Sequence, residues 1–109
     1  MGMNAAEQQI MGLISSAGES RAKAFQALQA ARKRDYEAAH ALLKESAEVD
    51  IEAHNIQTSL IQAELSEGGE KPEINLLMVH AQDHYMTAQL ARDLVEEMIM
   101  ILESRDNEE

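Results

Sequence analysis

LLMVHAQDHYMTAQL (residues 76–90) decides the fold, because it sets several polar side chains inside an otherwise apolar helical pattern. At about 100° per residue, a helix turns His80, Asp83 and His84 onto one arc. Thr87 falls on the same arc, about 20° from His80. The spacing therefore predicts four polar groups that point the same way from one long helix.

Spacing alone leaves two interpretations of this arc open. A histidine on an apolar face is most often a hydrogen-bonded core residue. Three titratable groups at positions i, i+3 and i+4 are harder to bury, because each needs a partner or an ion to offset its lost hydration. Gln82 falls about 200° from His80, and we interpret it as a helix-surface or inter-subunit contact. A core and a functional site are supported about equally at this point.

Length and composition predict one all-α domain. The chain has 109 residues, which suffices for a single modest core. It is 45% hydrophobic but only 3% aromatic, with one proline and five glycines, and an alanine-rich chain of this kind favours close-packed helices over a sheet. No apolar run reaches the roughly 18 residues of a membrane span, and the N-terminus lacks a signal-peptide pattern. We expect a cytoplasmic protein.

Charge and cysteine content narrow the function classes. The net charge is −11, from twenty acidic and nine basic residues, which argues against nucleic acid or an anionic membrane as a partner and fits a basic protein partner. The chain has no cysteine, so disulfides, thiolate nucleophiles and zinc-thiolate sites are excluded. A G-x-x-x-x-G-K-[ST] loop is also absent, so the chain is not expected to take phosphate from bound ATP.

Capping signals predict an antiparallel three-helix bundle that runs up, down and up. Asn4 has capping-box spacing before the first apolar repeat, and Asp35 is expected to cap the second helix after a connection of two or three residues. Gly68 and Gly69 are expected to end the second helix, and Pro72 to open the third at its first turn. The predicted helices span about residues 5–32, 35–66 and 72–104.

The third helix carries two apolar stripes, more than one set of neighbours can cover. We expect one stripe to pack on the other two helices and the second to pack on other subunits. Asp83 is in step with the second stripe, so symmetry would bring Asp83 carboxylates together. At ~4 Å each pair repels by about 4 kcal/mol for an effective dielectric of about 20, and a divalent hard cation or shared protons would neutralise them. The first stripe is Leu77, Ala81, Ala88, Ala91, Val95, Met98 and Leu102, and the second is Leu76, Val79, Met86, Leu90, Leu94 and Ile101.

VHAQDHYMT (residues 79–87) resembles the active-site signature of the lactose/cellobiose-specific IIA components of the bacterial phosphoenolpyruvate-dependent sugar phosphotransferase system. The family pattern is approximately V-H-A-Q-D-H-hydrophobic-M-T, with Tyr85 in the variable position. GLISSAGESRAKAFQAL (residues 12–28), the AAxxLLxES-like stretch at 38–46 and AHNIQTSLIQAE (residues 53–64) resemble the family in the same order. The resemblance covers nearly the whole chain.

The resemblance implies a phosphocarrier. In the family, a histidine at the place of His80 accepts a phosphoryl group from the histidine-containing phosphocarrier HPr. It passes that group to a cysteine of the IIB component, which phosphorylates a disaccharide of the cellobiose or lactose type as the IIC permease imports it. A neutral imidazole is a nucleophile suited to this transfer. We assign His84 and Thr87 as hydrogen-bond donors to the phosphoryl oxygens, with Gln57, from the same or an adjacent subunit, as a further candidate. The family also implies a homotrimer with one magnesium ion held by Asp83 from each subunit on the threefold axis.

Other classes remain in view. Glu37-Ala-Ala-His40 has the Glu-x-x-His spacing of di-metal bundles, although that architecture needs two such motifs on four helices. A histidine phosphotransfer domain of two-component signalling is a chemical rival that lacks here the lysine and glycine expected after its histidine. A helical adaptor would explain the apolar stripes but not the polar arc. Asp50 and His54 are expected to form a pair at a solvated edge of the second helix.

Overall fold

A computed structural model of the chain describes residues 2–69 and 71–108. These residues form three long helices packed into a bundle of 60 × 29 × 20 Å, and they contain no strand. The predicted all-α, three-helix architecture is confirmed. No helix in the described part of the chain has the length and apolarity to span a bilayer. The helices are α1 (Ala5–Arg32), α2 (Tyr36–Leu65) and α3 (Leu76–Asn107).

Side-chain caps and a tight connection fix the first two helices. Asn4 accepts a hydrogen bond from the backbone N–H of Glu7 at 2.8 Å, which satisfies a donor that the first turn leaves unpaired. Asp35 caps α2 in the same way, accepting from the N–H of Ala38 at 3.2 Å. Between them Arg34 adopts a left-handed φ of 64°, which reverses the chain within a few residues. Helices α1 and α2 must therefore run antiparallel.

The third helix begins later than the sequence predicts. Pro72 lies in a non-helical segment, and α3 starts at Leu76 instead of at about residue 72. The Oδ1 atom of Asn75 accepts the N–H of Met78 at 3.0 Å, and an asparagine cap of this kind fixes a helix start more strongly than a proline two or three residues earlier. Gly69 takes the positive φ expected of this connection, at 85°.

Helix α1 is the common partner of the other two helices, while α2 and α3 contact each other much less. Its inward face is rich in alanine, which lets both neighbours approach closely. The buried side chains form two clusters, one towards each end of the bundle. The first contains Ile10, Leu13, Ala17, Ala53, Leu60, Met78, Ala81, Tyr85 and Ala88, and the second Ala24, Ala27, Ala31, Ala39, Val95 and Ile99.

The two predicted stripes of α3 behave differently in the structure. The first is buried at Ala81, Ala88 and Val95, but Met98 is exposed and Ile99 is buried in its place. The rest of this stripe is half-buried: Leu77, Ala91 and Leu102. Met78 and Tyr85 are also buried, because α1 and α2 together cover a wider arc of α3 than one stripe. Every residue of the second stripe is exposed: Leu76, Val79, Met86, Leu90, Leu94 and Ile101.

Candidate functional site

Two imidazole rings lie side by side on the outer face of α3. The Nε2 atoms of His80 and His84 are 3.1 Å apart, and the ring centroids are separated by 4.5 Å with an interplanar angle of 78°. His80 is exposed and His84 is half-buried. One nitrogen must carry the hydrogen and the other must offer its lone pair. The pair therefore combines a nucleophilic nitrogen with an adjacent N–H donor.

Asp83 and Thr87 lie on the same arc, as predicted, and both are exposed. The Oγ1 atom of Thr87 donates to the backbone carbonyl oxygen of Asp83 at 2.7 Å, so its hydrogen is already engaged and it is available to an incoming group mainly as an acceptor. The carboxylate of Asp83 forms no ion pair with any residue that the structure describes. Asp83 is thus an unneutralised charge in the middle of the exposed apolar stripe.

Gln57 does not reach His80 within one chain. Its Nε2 atom donates to Oε1 of Gln82 at 3.0 Å and lies 3.9 Å from the sulfur of Met86. This amide pair joins α2 to α3 on the side of α3 that faces away from His80, where the helical spacing places Gln82. Gln82 is accordingly a contact between helices of the same chain, and Gln57 lies beside it.

Sequence reasoning missed a second polar cluster, centred on Tyr85. Tyr85 is only 2% exposed, yet its hydroxyl oxygen lies 3.1 Å from Nδ1 of His54 and 3.4 Å from Nε2 of Gln89. Burial raises the pKa of Tyr85 above its usual value, and the negative charge of Asp50 raises that pKa further. The signal in the sequence was a tyrosine on an apolar arc, because a buried phenol requires a hydrogen-bond partner.

Asp50 is not paired with His54, so the predicted Asp50–His54 pair is wrong. Asp50 is only 8% exposed, and its Oδ2 atom lies 3.5 Å from a terminal nitrogen of Arg92. A largely buried carboxylate is better compensated by a permanently charged guanidinium than by a neutral imidazole. Arg92 supplies that charge from α3, which left His54 free to bond Tyr85.

His40 does not belong to a metal cluster in the structure. Its Nε2 atom is 2.7 Å from Oε2 of Glu103, at the end of the bundle remote from His80. Within residues 2–69 and 71–108 there is no group of three His, Cys, Asp or Glu side chains able to hold a metal ion. The Glu37-x-x-His40 spacing therefore corresponds to an inter-helix pair and not to half of a di-metal centre.

The arrangement around His80 fits the chemistry of a phosphoryl acceptor. An exposed ring offers a nucleophile, its neighbour offers a hydrogen-bond donor to a developing anion, and both are held on a rigid helix, which favours in-line transfer. The site can therefore receive a group delivered by another macromolecule without first folding around it.

Comparisons with known proteins point to one family. Residues 8–103 match the family model described as "PTS system, Lactose/Cellobiose specific IIA subunit". The N,N'-diacetylchitobiose-specific EIIA component of Escherichia coli K12 is 43% identical over 97 residues, which cover 89% of this chain and 82% of that protein. The lichenan-specific phosphotransferase enzyme IIA component of Bacillus subtilis is 45% identical over 97 residues, covering 89% of this chain and 86% of that protein.

Solved structures agree. The cellobiose-specific enzyme IIA of Bacillus anthracis superposes with a TM-score of 0.91 at 37% identity, covering 99% of this chain and 97% of that chain. A solution structure of the IIA(chitobiose)–HPr complex of the N,N'-diacetylchitobiose branch of the Escherichia coli phosphotransferase system superposes with a TM-score of 0.80 at 39% identity. In that comparison 95% of this chain and 99% of that chain are covered.

Proposed function

The chain belongs to the lactose/cellobiose-specific IIA family of the sugar phosphotransferase system, and from that membership we propose that His80 carries a phosphoryl group from HPr to a IIB component. The family resemblance seen in the sequence is confirmed, and the chain is a phosphotransferase component. The assignment of His80 depends on one observation: its ring is exposed, and its Nε2 atom lies 3.1 Å from Nε2 of His84. The two-component phosphotransfer domain and the helical adaptor are set aside.

Transfer proceeds by two in-line displacements. A lone pair of the His80 ring attacks the phosphorus of phosphohistidine on HPr, a new P–N bond forms, and the P–N bond to HPr breaks, returning the neutral imidazole of HPr. A cysteine thiolate of the IIB component then attacks the same phosphorus, and His80 leaves as a neutral ring. His84 turns its N–H to a phosphoryl oxygen once His80 is modified. Positioning and electrostatic support supply most of the catalysis.

The sugar is a disaccharide of the cellobiose or lactose type, phosphorylated by the IIB component as the IIC permease imports it. Relatives of this chain are named for chitobiose, lichenan, cellobiose, galactose and lactose, which supports a sugar of this general type. The chain itself contacts HPr and the IIB component, and the permease only indirectly. We propose a cytoplasmic location, where these partners would meet the chain.

We propose a homotrimer, which the family resemblance implies and which the exposed stripe of α3 supports. The stripe runs nearly the length of the helix and lies on the side away from α1 and α2, so an isolated chain would leave six large apolar side chains in water on one face. Packing three copies of α3 about a threefold axis buries that surface. Asp83, in the middle of the stripe, then approaches the axis in every copy.

Magnesium fits this position. Among the residues that the structure describes, the Asp83 carboxylate has no ion-pair partner. Three copies would supply three hard oxygen ligands of the kind that Mg²⁺ prefers. When bound, the ion neutralises the mutual repulsion of the carboxylates, and it takes no part in phosphoryl transfer. Water ligands would complete the coordination, as is usual for Mg²⁺ in proteins.

Threefold packing also determines which residues meet at each interface. His80 and His84 lie on one flank of the stripe, and Gln82 with Gln57 lies on the other. In a cyclic assembly each copy presents one flank to the opposite flank of the next copy. Gln57 therefore approaches His80 from the adjacent subunit, where its amide can support the phosphoryl group.

A phosphotransfer assay tests the proposal. The chain is incubated with phosphoenolpyruvate, enzyme I and HPr, and acid-labile phosphate is located by mass spectrometry. We expect label on His80 and none in His80→Ala, with His40→Ala labelled like wild type because His40 lies at the remote end of the bundle. Label that persists in His80→Ala would overturn the assignment.

A further inference from the structure

A chain of hydrogen bonds runs from α3 to the surface of α2. Nε2 of Gln89 donates to the hydroxyl oxygen of Tyr85 at 3.4 Å, and that oxygen lies 3.1 Å from Nδ1 of His54. Tyr85 is buried, whereas His54 is exposed. This chain of hydrogen bonds, called the relay below, thus begins at Gln89 between the helices and ends at the solvent-exposed ring of His54.

The relay fixes the tautomer of His54. A tyrosine hydroxyl has one hydrogen, and because Gln89 approaches it as a donor, that hydrogen remains for the Nδ1 atom of His54. A neutral imidazole that accepts at Nδ1 carries its own hydrogen at Nε2. His54 therefore presents an N–H group outward. A solvated surface histidine without this partner would exchange between its two tautomers.

The position of His54 on α2 directs its outward N–H group towards a neighbouring copy of the proposed trimer. It lies on the face of α2 that borders the groove with α3, one turn from Gln57, so it belongs to the flank opposite His80. Tyr85, its partner on α3, directly follows His84 in the sequence and lies at the same height along the bundle as the His80–His84 pair. The same face of α2 continues to Ile61 and Leu65, which are 47% and 76% exposed. These exposed apolar side chains give the neighbouring copy of the proposed trimer a surface to pack on.

We propose that the Nε2–H of His54 in one copy donates a hydrogen bond to a phosphoryl oxygen on His80 of the next copy, with Tyr85 as the positioning residue that holds the donor. This rests on the proposed phosphocarrier function and threefold packing, and it adds a donor that neither requires. The phosphoryl group then has donors on two sides, His84 from its own chain and His54 from the neighbour. No proton is transferred by His54.

Matched substitutions at residue 54 test the donor. His54→Ala removes it, and we expect phosphorylation of His80 by phospho-HPr to slow by about tenfold or more, as for loss of a preorganised donor to an anion. His54→Gln places an amide nitrogen where Nε2 stood and should restore most of the rate, whereas His54→Asn places it where Nδ1 stood and should not. Equal rates for all three variants and wild type would overturn the proposal.

Tyr85→Phe tests the positioning role of Tyr85 through the tautomer of His54, which a change in packing alone would not alter. In wild type, ¹⁵N chemical shifts of His54 should show hydrogen at Nε2 and a bare Nδ1. In Tyr85→Phe we expect a mixture of tautomers and slower labelling, while helicity stays unchanged. An unchanged His54 tautomer in Tyr85→Phe would show that the hydroxyl does not set it, contrary to the proposal.

Mixed assemblies test whether the donor acts between copies. His80→Ala keeps an intact His54, and His54→Ala keeps an intact His80, so co-refolded chains recreate complete sites at about a quarter of the interfaces. We expect a labelling rate above the sum of the separate variants. No gain in mixtures that native mass spectrometry shows to contain both chains would place His54 in its own chain's site. Failure of the phosphocarrier function itself is distinct, because wild type would then take no label from phospho-HPr.

Discussion

Nε2 of His84 lies 3.1 Å from Nε2 of His80, one helical turn away along α3. A single hydrogen lies between the two nitrogens. When one ring donates it, the other ring must accept, so the tautomer of each ring depends on that of its neighbour. Modification of His80 at that nitrogen removes the shared contact and leaves His84 facing the new group. In the proposed transfer, the same side chain is therefore a ring partner before phosphorylation and a phosphoryl partner after it.

His84→Ala should slow labelling of His80 by about tenfold and shorten the lifetime of the phosphohistidine, because a donor to the phosphoryl oxygens is lost. His84→Gln, which keeps an N–H donor at a similar distance from the backbone, should retain more of the rate. Both quantities are measured by quench-flow with phospho-HPr and by following release of inorganic phosphate. Faster labelling in His84→Ala would mean that His84 occupies the nucleophile instead of supporting it.

Asp83→Leu should keep or raise the stability of the proposed trimer, because leucine would replace three carboxylates that repel at the proposed axis with apolar contact. Sedimentation of the wild-type assembly should depend on added Mg²⁺ and respond to EDTA, and that of Asp83→Leu should not. Glu96→Leu, at an exposed position outside the stripe, serves as control and should leave the Mg²⁺ dependence intact. A monomeric Asp83→Leu would show that Asp83 is not at the axis.

Leu90→Asp should separate the subunits without unfolding them. Leu90 is 58% exposed within one chain, so a charge there costs little in the isolated bundle but is buried when three copies of α3 meet. Light scattering should report a monomer, and circular dichroism an unchanged helix content. Ala88→Asp is the matched contrast, because Ala88 is buried within the chain and its replacement should lower helicity as well.

The two tyrosines of the chain should both ionise above the usual range. A hydrogen bond from Tyr36 to Asp106 is the main cause that raises the pKa of Tyr36 from 10.0 to about 12, and burial raises the pKa of Tyr85. The folded state favours the neutral phenol, so the stabilisation is present below pH 10 and is lost as pH rises through about 12. Phenolate absorbance during a pH titration measures this.

Asp106→Asn is the matched variant for that titration. It keeps a hydrogen-bonding side chain but removes the negative charge, so the pKa of Tyr36 should fall towards 10.0 while that of Tyr85 stays raised. Tyr36→Phe leaves Tyr85 as the single titrating phenol and assigns the two curves. A wild-type curve with both phenols at the usual pKa would contradict the contacts of Tyr36 and Tyr85.

Helical geometry made much of the fold and of the His80 arc predictable. Asn4 and Asp35 mark helix starts through bonds to residues three positions on, and His80 and His84 meet because i and i+4 always do. Contacts between helices depend on axial register, which no local pattern specifies. The Gln57–Gln82 pair, the Arg92 partner of Asp50 and the burial of Ile99 in place of Met98 are of that kind. Tyr85 was missed because its partner comes from another helix.

The reversal at Arg34 has a mechanical consequence. Its left-handed backbone costs about 1 kcal/mol that a glycine would avoid, but its Nε atom lies 3.5 Å from the carboxylate of Asp106, which also accepts from Tyr36. That end of the bundle is therefore clamped to the last turn of α3. At the opposite end, the described residues between α2 and α3, 66–69 and 71–75, are non-helical. Thermal opening should begin there, so that the end nearest His80 is the more compliant half of the molecule when a partner docks.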